Sequence, residues 1–208
     1  MLFSELVTEV YTATNRPDMV AETAQQIIKA TNQLHSMDFW PRDRRVDYYT
    51  FATSGFIQEM QISDTFQRLR AFSFIRKFNP AGVDPQTQLQ SGLGKYPLID
   101  IVDPQALFDE YYSNKVNVAY VAGDTLTIRS SDALKYILVG WYQLPLLLPT
   151  NAQFSSWIAD LMPYAVIDRA VSGIFKMIGY DEQSRKYDQL NSENIQLMRT
   201  NFTTPEGF

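Results

Sequence analysis

An α+β fold is predicted by three observations. Apolar side chains recur at helical spacing at both ends of the chain, β-forming runs with a two-residue hairpin turn fill the middle, and helices from the two ends most simply pack together. The expected architecture is a helical bundle of N- and C-terminal helices, residues 1–45 and 150–208, with an inserted antiparallel β-rich region at 46–149.

In the first helix, Leu2, Leu6, Val10 and Phe3, Val7, Tyr11 recur four apart and lie side by side. Asn15-Arg16-Pro17 ends it, because a proline disfavours helix at the residue before it. Asp18 then reads as an N-cap, with Glu22 near the first turn. The second helix runs to about Met37 on a stripe of Val20, Ala24, Ile27, Ile28, Thr31 and Leu34. Strands are expected at Val46–Phe51, Phe56–Ile62 and Ala71–Ile75, which are rich in aromatic and β-branched residues. From Asn79 to Tyr96 prolines, glycines, Gln and Ser cluster without apolar period, which predicts a long exposed loop. Asp103 and Pro104 are placed to cap and open a short helix reaching Tyr112. Val116–Ala122 and Thr125–Arg129 flank Gly123-Asp124, a hairpin turn. Leu134–Tyr142 reads as another strand ended by Pro145 and Pro149. Pro163 opens a helix with Tyr164, Ile167, Val171, Ile174, Phe175 and Ile178 facing inward and Gly179 at its C-terminal end. A last helix, from about Glu182 to Thr200, carries Tyr187, Leu190, Leu197 and Met198 as its stripe.

Composition narrows the chemistry. The 208 residues hold no Cys and one His, His35, so thiol catalysis, disulfides, Cys-based zinc sites and a His-pair metal site are excluded. A Ser–His–Asp triad could use His35 alone. The formal charge of −5 argues against a protein that grips nucleic acid through its overall field. Met1–Glu5 lacks the basic and apolar regions of a signal peptide. The longest apolar stretch, around Leu144–Leu148, is broken by a proline, so we expect no membrane span and synthesis in a cytoplasm.

No catalytic frame stands out. His35, near a helix end, is expected to bond a carbonyl or complement the helix dipole. Asp43 with Asp47, Asp100 with Asp103, and Asp109 with Glu110 read as solvated surface. Ser91-Gly92-Leu93-Gly94-Lys95 lacks the first glycine and the final Ser/Thr of a phosphate loop. No catalytic, metal or cofactor-binding residue is therefore expected. Arg42, Arg44 and Arg45 with Phe39, Trp40, Tyr48 and Tyr49 mix cations and aromatic faces. Asp38, Asp43 and Asp47 interrupt the run, so we favour a protein interface built on Trp40, Arg42, Arg44 and Arg45 over a nucleic-acid groove.

Leu6-Val7-Thr8-Glu9-Val10-Tyr11 followed by Thr14-Asn15-Arg16-Pro17-Asp18, then Glu22-Thr23, Ile27, Ala30-Thr31 and His35, resemble the start of the head–tail adaptor proteins of short-tailed bacteriophages. Trp157-Ile158-Ala159, Pro163, Ile167, Ala170, Ile174-Phe175, Gly179 and Glu182, with a polar helix ending near Asn201, resemble their C-terminal stretch. Gly140-Trp141-Tyr142-Gln143-Leu144-Pro145 resembles a third shared element, while residues 51–130 are less diagnostic. Met162 stands before Pro163 where an aromatic is expected. The resemblance implies a non-enzymatic structural protein of the virion at the head–tail junction. It would form a ring of self-copies, usually twelve, between the portal and the tail nozzle, with genomic DNA passing through the lumen without specific binding. Residues 182–208 would then meet the portal, with Phe202 and Phe208 as candidate docking side chains, and loops of the β region, including 79–95, would meet the nozzle. Twelve copies at −5 each carry −60, a wall that repels phosphates. The alternative is a carbohydrate-binding or carbohydrate-cleaving tail protein, with Trp40, Tyr48, Tyr111 and Tyr112 as platforms beside a carboxylate pair.

Overall fold

The computed structural model describes residues 1–77, 97–107 and 115–202. It is a mixed α+β chain in two units: Met1–Asp43 with Leu144–Phe208, and Arg44–Gln143. The expected loop at 79–96 and the far end of the helix predicted to reach Tyr112 lie outside the described residues.

The helical unit begins with α1 (Phe3–Thr14), whose first turn is closed by the Leu2 N–H donating to the Glu5 carboxylate. It ends at Asn15, in the left-handed conformation with φ 54°, whose N–H returns to the Tyr11 carbonyl. Helix α2 (Val20–Met37) starts after Met19, not at an Asp18 cap. The Asp18 carboxylate is instead gripped by two guanidinium nitrogens of Arg16, at 2.9 and 2.8 Å, so it is turned away from the helix start. After the inserted unit come the short strands β6 (Leu146–Leu147) and β7 (Phe154–Ser155), then α5 (Trp157–Leu161), α6 (Pro163–Met177) and α7 (Asp181–Phe202). Leu6 and Val10 of α1, Ile27 and Leu34 of α2, Ile158, and Val166, Val171 and Ile174 of α6 are all buried in one core. Segments from both ends of the chain therefore fold on each other.

Helix α6 ends as Gly179 predicts. Gly179 has φ 77°, its N–H meets the Lys176 carbonyl, and the Tyr180 N–H meets the Phe175 carbonyl at 2.9 Å. The Phe175 and Tyr180 rings stack 6.2 Å apart across this turn, completing the Schellman arrangement. Two expectations for this region fail. Tyr164 is 63% exposed, one position from the inward Ala165. On α7 the expected Met198 is buried and Tyr187 packs on the core, but Leu190 and Leu197 are exposed and the other buried positions are Ser184, Asn191 and Ile195. The α6–α7 contact is polar in its first half. Ser184 bonds Ser172, the Asn191 amide donates to the Ala165 carbonyl at 2.8 Å, and Asn194 donates to Asp168. Hydrogen bonds there take the place that the stripe gave to Leu190 and Leu197.

In the other unit the two strands expected at 46–51 and 56–62 are one, β1 (Arg44–Gln61). β2 (Leu69–Lys77), β3 (Leu98–Ile101), helix α4 (Pro104–Leu107), β4 (Val118–Ala122) and β5 (Thr125–Gln143) follow. A short helix α3 (Ile62–Thr65) leads from β1 into β2. Asp103 accepts the Gln105 N–H, the expected capping bond of α4. The Gly123-Asp124 turn joins β4 to β5, with Gly123 at φ 61°. The long β5 pairs with β1, β2 and β4, and β2–β3–β4 closes the circuit into a small barrel. The β3–β4 pair is parallel, a departure from the all-antiparallel expectation, because the connection through α4 lets β4 run in the same direction as β3.

Bulges give β1 and β5 their bend. Register breaks between Thr50 and Gly55 and again between Gly55 and Ile57, with the surplus residues first on β1 and then on β5. Each break is stitched by a side chain. Gln58 donates to the Thr53 and Leu134 carbonyls, and the buried Lys77 ammonium meets Asn117, Ser131 and Asp132. Phe51, Phe66, Ile75, Leu126, Ile137 and Trp141 fill the interior.

Candidate functional site

His35 occupies the last turn of α2, where the chain leaves the helix and a single 3-10 turn, Pro41–Asp43, folds back. That turn returns Asp43 to the imidazole. Its carboxylate oxygens lie 3.0 and 2.8 Å from His35 Nδ1. On the other side Nε2 lies 2.9 Å from Ser156 Oγ. Ser156 is the N-cap of α5, and its Oγ also accepts the Ala159 N–H at 3.3 Å. Trp157 Nε1 donates to Asp43 at 2.7 Å. The exposures of His35, Asp43 and Ser156 are 1, 8 and 4%.

The connectivity is that of a Ser–His–Asp relay. Its setting is not. The hydroxyl is closed in by packing, and its oxygen accepts a helix-capping amide, where a nucleophile would need a substrate. With a proton on Nδ1, the ring donates to Asp43, accepts the Ser156 hydroxyl, and every polar atom of the cluster is satisfied. We describe it as a clasp that ties α2, the 3-10 turn and α5. His35 stands in the last turn of α2 as expected, and its ring is held by a carboxylate and a hydroxyl. One expectation is corrected: Asp43 is buried instead of lying on a solvated surface with Asp47. Ser156 and Trp157 were invisible as members of the set, since Ser156 lies 121 residues from His35; the Ser156-to-Ala159 capping spacing was their one local signal.

The expected interface residues separate. Trp40 is 1% exposed, with its Nε1 donating to the Leu34 carbonyl and its ring 5.9 Å from Trp157. It is a core side chain, so it is neither an interface anchor nor a sugar platform. Arg42 is exposed and lies over Trp157 at 5.9 Å and over Phe202 at 5.5 Å. Phe202, the last residue of α7, is half-buried with its ring 5.3 Å from Trp157. It therefore packs on its own chain. Phe208 lies outside the described residues. In the barrel unit, Arg44 covers the Phe74 ring at 5.1 Å and Arg45 donates to Gln143 at 3.2 Å, both with exposed side chains. Tyr111 and Tyr112 are outside the described residues.

Two further surfaces were missed because each joins residues far apart in sequence or on one strand side. β1 exposes Val46, Tyr48, Phe56 and Ile57, and among the described residues it pairs with β5 alone. Between α2 and α6 lies a recess of about 100 Å³ rimmed by Gln26, Lys29, Gln33, Arg169 and Lys176, with Ala30 and Gly173 at its floor. Asp188 faces it from α7, 2.7 Å from Lys176 and 3.6 Å from Arg169. Burial would raise the Asp188 carboxyl, but hydrogen bonds from Lys176 and Ser172 and the two cations hold it below the ordinary carboxylate range. Among the described residues no three acidic or His side chains are grouped to hold a metal ion.

No protein-family model matches the chain, and no curated protein is recognisably similar to it.

Proposed function

We propose that the chain is a structural virion protein: the adaptor ring that joins the portal of a short-tailed bacteriophage to its tail nozzle and lines the DNA exit channel. In this reading the helical unit is a bundle that packs copy against copy, and the barrel unit faces the nozzle. One observation carries it. The N- and C-terminal segments that resemble adaptors are distant in sequence, yet their apolar positions Leu6, Val10, Ile27, Ile158, Ile167 and Ile174 share a single core. That the two segments make one folded unit is what the adaptor reading requires. The enclosed Ser156 hydroxyl supports a non-enzymatic role.

The test is retention on the portal protein of the same phage. Full-length chain should co-sediment with portal rings. Chain ending at Phe202 retains the Trp157 and Arg42 contacts of α7, and should fold as the parent does but bind portal about tenfold more weakly, since it lacks Phe208 and the rest of the proposed docking segment beyond α7. Equal binding of both would refute the docking role of the C-terminal segment. A full-length chain that stays in the supernatant would refute the adaptor reading itself.

A further inference from the structure

The recess between α2 and α6 is built by the same spacing on both helices. Gln26, Lys29, Ala30 and Gln33 occupy positions i, i+3, i+4 and i+7 of α2, and Arg169, Ser172, Gly173 and Lys176 do so on α6. The small residues set the depth. A Cβ on Gly173 would lie 2.4 Å from the Gln26 Oε1, so a larger residue there would have to displace the end of the Gln26 side chain. Three cations, Lys29, Arg169 and Lys176, line the recess, and one carboxylate, Asp188, pairs with the last two. Arg169 and Lys176 are tied to Asp188, and Arg169 Nε also donates to Gln33 at 3.1 Å. Lys29 is exposed and holds no ion pair or hydrogen bond among the described residues. The recess thus keeps an excess of two positive charges in a chain whose net charge is −5.

The same unit carries its complement. Glu5 and Glu9 of α1, with Thr8 between them, line an exposed face together with Met1, whose ammonium is already paired with Asp160 at 2.7 Å. They are four residues apart, so they stand on one side of the helix about 6 Å apart along its axis. Glu5 is partly engaged by the Leu2 N–H, while Glu9 has no partner among the described residues. Two carboxylates on one helix face match in charge a two-helix recess with two surplus cations.

We infer that a second copy of this chain docks α1 into the α2–α6 recess, its Glu5 and Glu9 meeting Lys29, Arg169 and Lys176. The recess and the α1 face share no residue, as a head-to-tail contact requires, and such contacts generate closed rings when the rotation closes. The inference rests on the ring reading above and names its contact. Because the charges are exposed, the contact weakens as salt rises and favours register and partner choice over raw affinity.

The experiment is a charge swap in the full chain, scored as the fraction of portal rings carrying a complete adaptor ring in negative-stain images. Lys29 and Glu9 are chosen because reversing either breaks no bond of the described fold. Lys29→Glu alone and Glu9→Lys alone should each lower ring completion about tenfold at low salt. The double variant should restore it. Full completion by Lys29→Glu, or a double variant no better than either single one, would overturn the contact while leaving the adaptor reading standing. Wild-type chain that never joins the portal would overturn both. Inorganic phosphate saturating the recess, with ring completion unchanged by Lys29→Glu, would reassign it as a small-anion site and overturn the contact.

Discussion

At the scale of single residues, the clasp around His35 makes the most exacting statement. Asp43 is buried and receives the imidazole and the Trp157 indole. Removing the ring by His35→Ala strands the Asp43 carboxylate and the Ser156 hydroxyl, which should lower the unfolding free energy by about 2–4 kcal/mol in urea melts. A serine-directed fluorophosphonate should leave the native chain unlabelled; labelling at Ser156 would show that the relay opens to substrate. Asp168 gives a test in pH. Burial pushes its carboxyl above the ordinary range, and the hydrogen bond from Asn194 offsets part of that. The folded chain therefore holds this proton more tightly than the unfolded chain does. Its stability contribution is present at low pH and is lost as pH rises from ~4 through the raised value. Asp168→Asn retains an acceptor for Asn194 and removes this titration. Relative to the parent, the variant should gain stability as pH climbs through that window; parallel stability curves would contradict the assignment.

Elements were legible where local chemistry decides them. Pro163 and Gly179 bracket α6 within two residues, and Gly123-Asp124 sets the β4–β5 turn. A Cβ on Gly179 would meet nothing within 4 Å, so Gly179→Ala should cost only the left-handed strain, about 1 kcal/mol, read as a lowered melting temperature. Elements became illegible where tertiary partners override pattern. The Leu-based stripe of α7 yields to Ser184 and Asn191 because α6 offers them a hydroxyl and a carbonyl. Two strands were each read as two: β5 joins the runs expected at Thr125–Arg129 and Leu134–Tyr142, and β1 was divided because Thr53, Ser54 and Gly55 signal a turn, while Gln58 bridges the bulge and keeps β1 paired to β5. The candidate site suffered most. Trp40 and Arg42 look alike as interface material in sequence, and only the fold of the 3-10 turn sends one into the core and leaves the other on the surface.

At the scale of the molecule, the chain separates two tasks. One unit gathers both chain ends around Leu6, Ile27 and Ile174, and the other closes five strands into a barrel around Ile75, Ile137 and Trp141. The described surfaces include an acidic helix face, a cationic recess and an apolar strand edge. Electron microscopy of the chain mixed with the portal protein of the same phage tests the central claim most directly. The account predicts a ring of adaptor copies, about twelve, seated coaxially beneath each portal. Bare portal rings, with the chain present but unassociated, would contradict it.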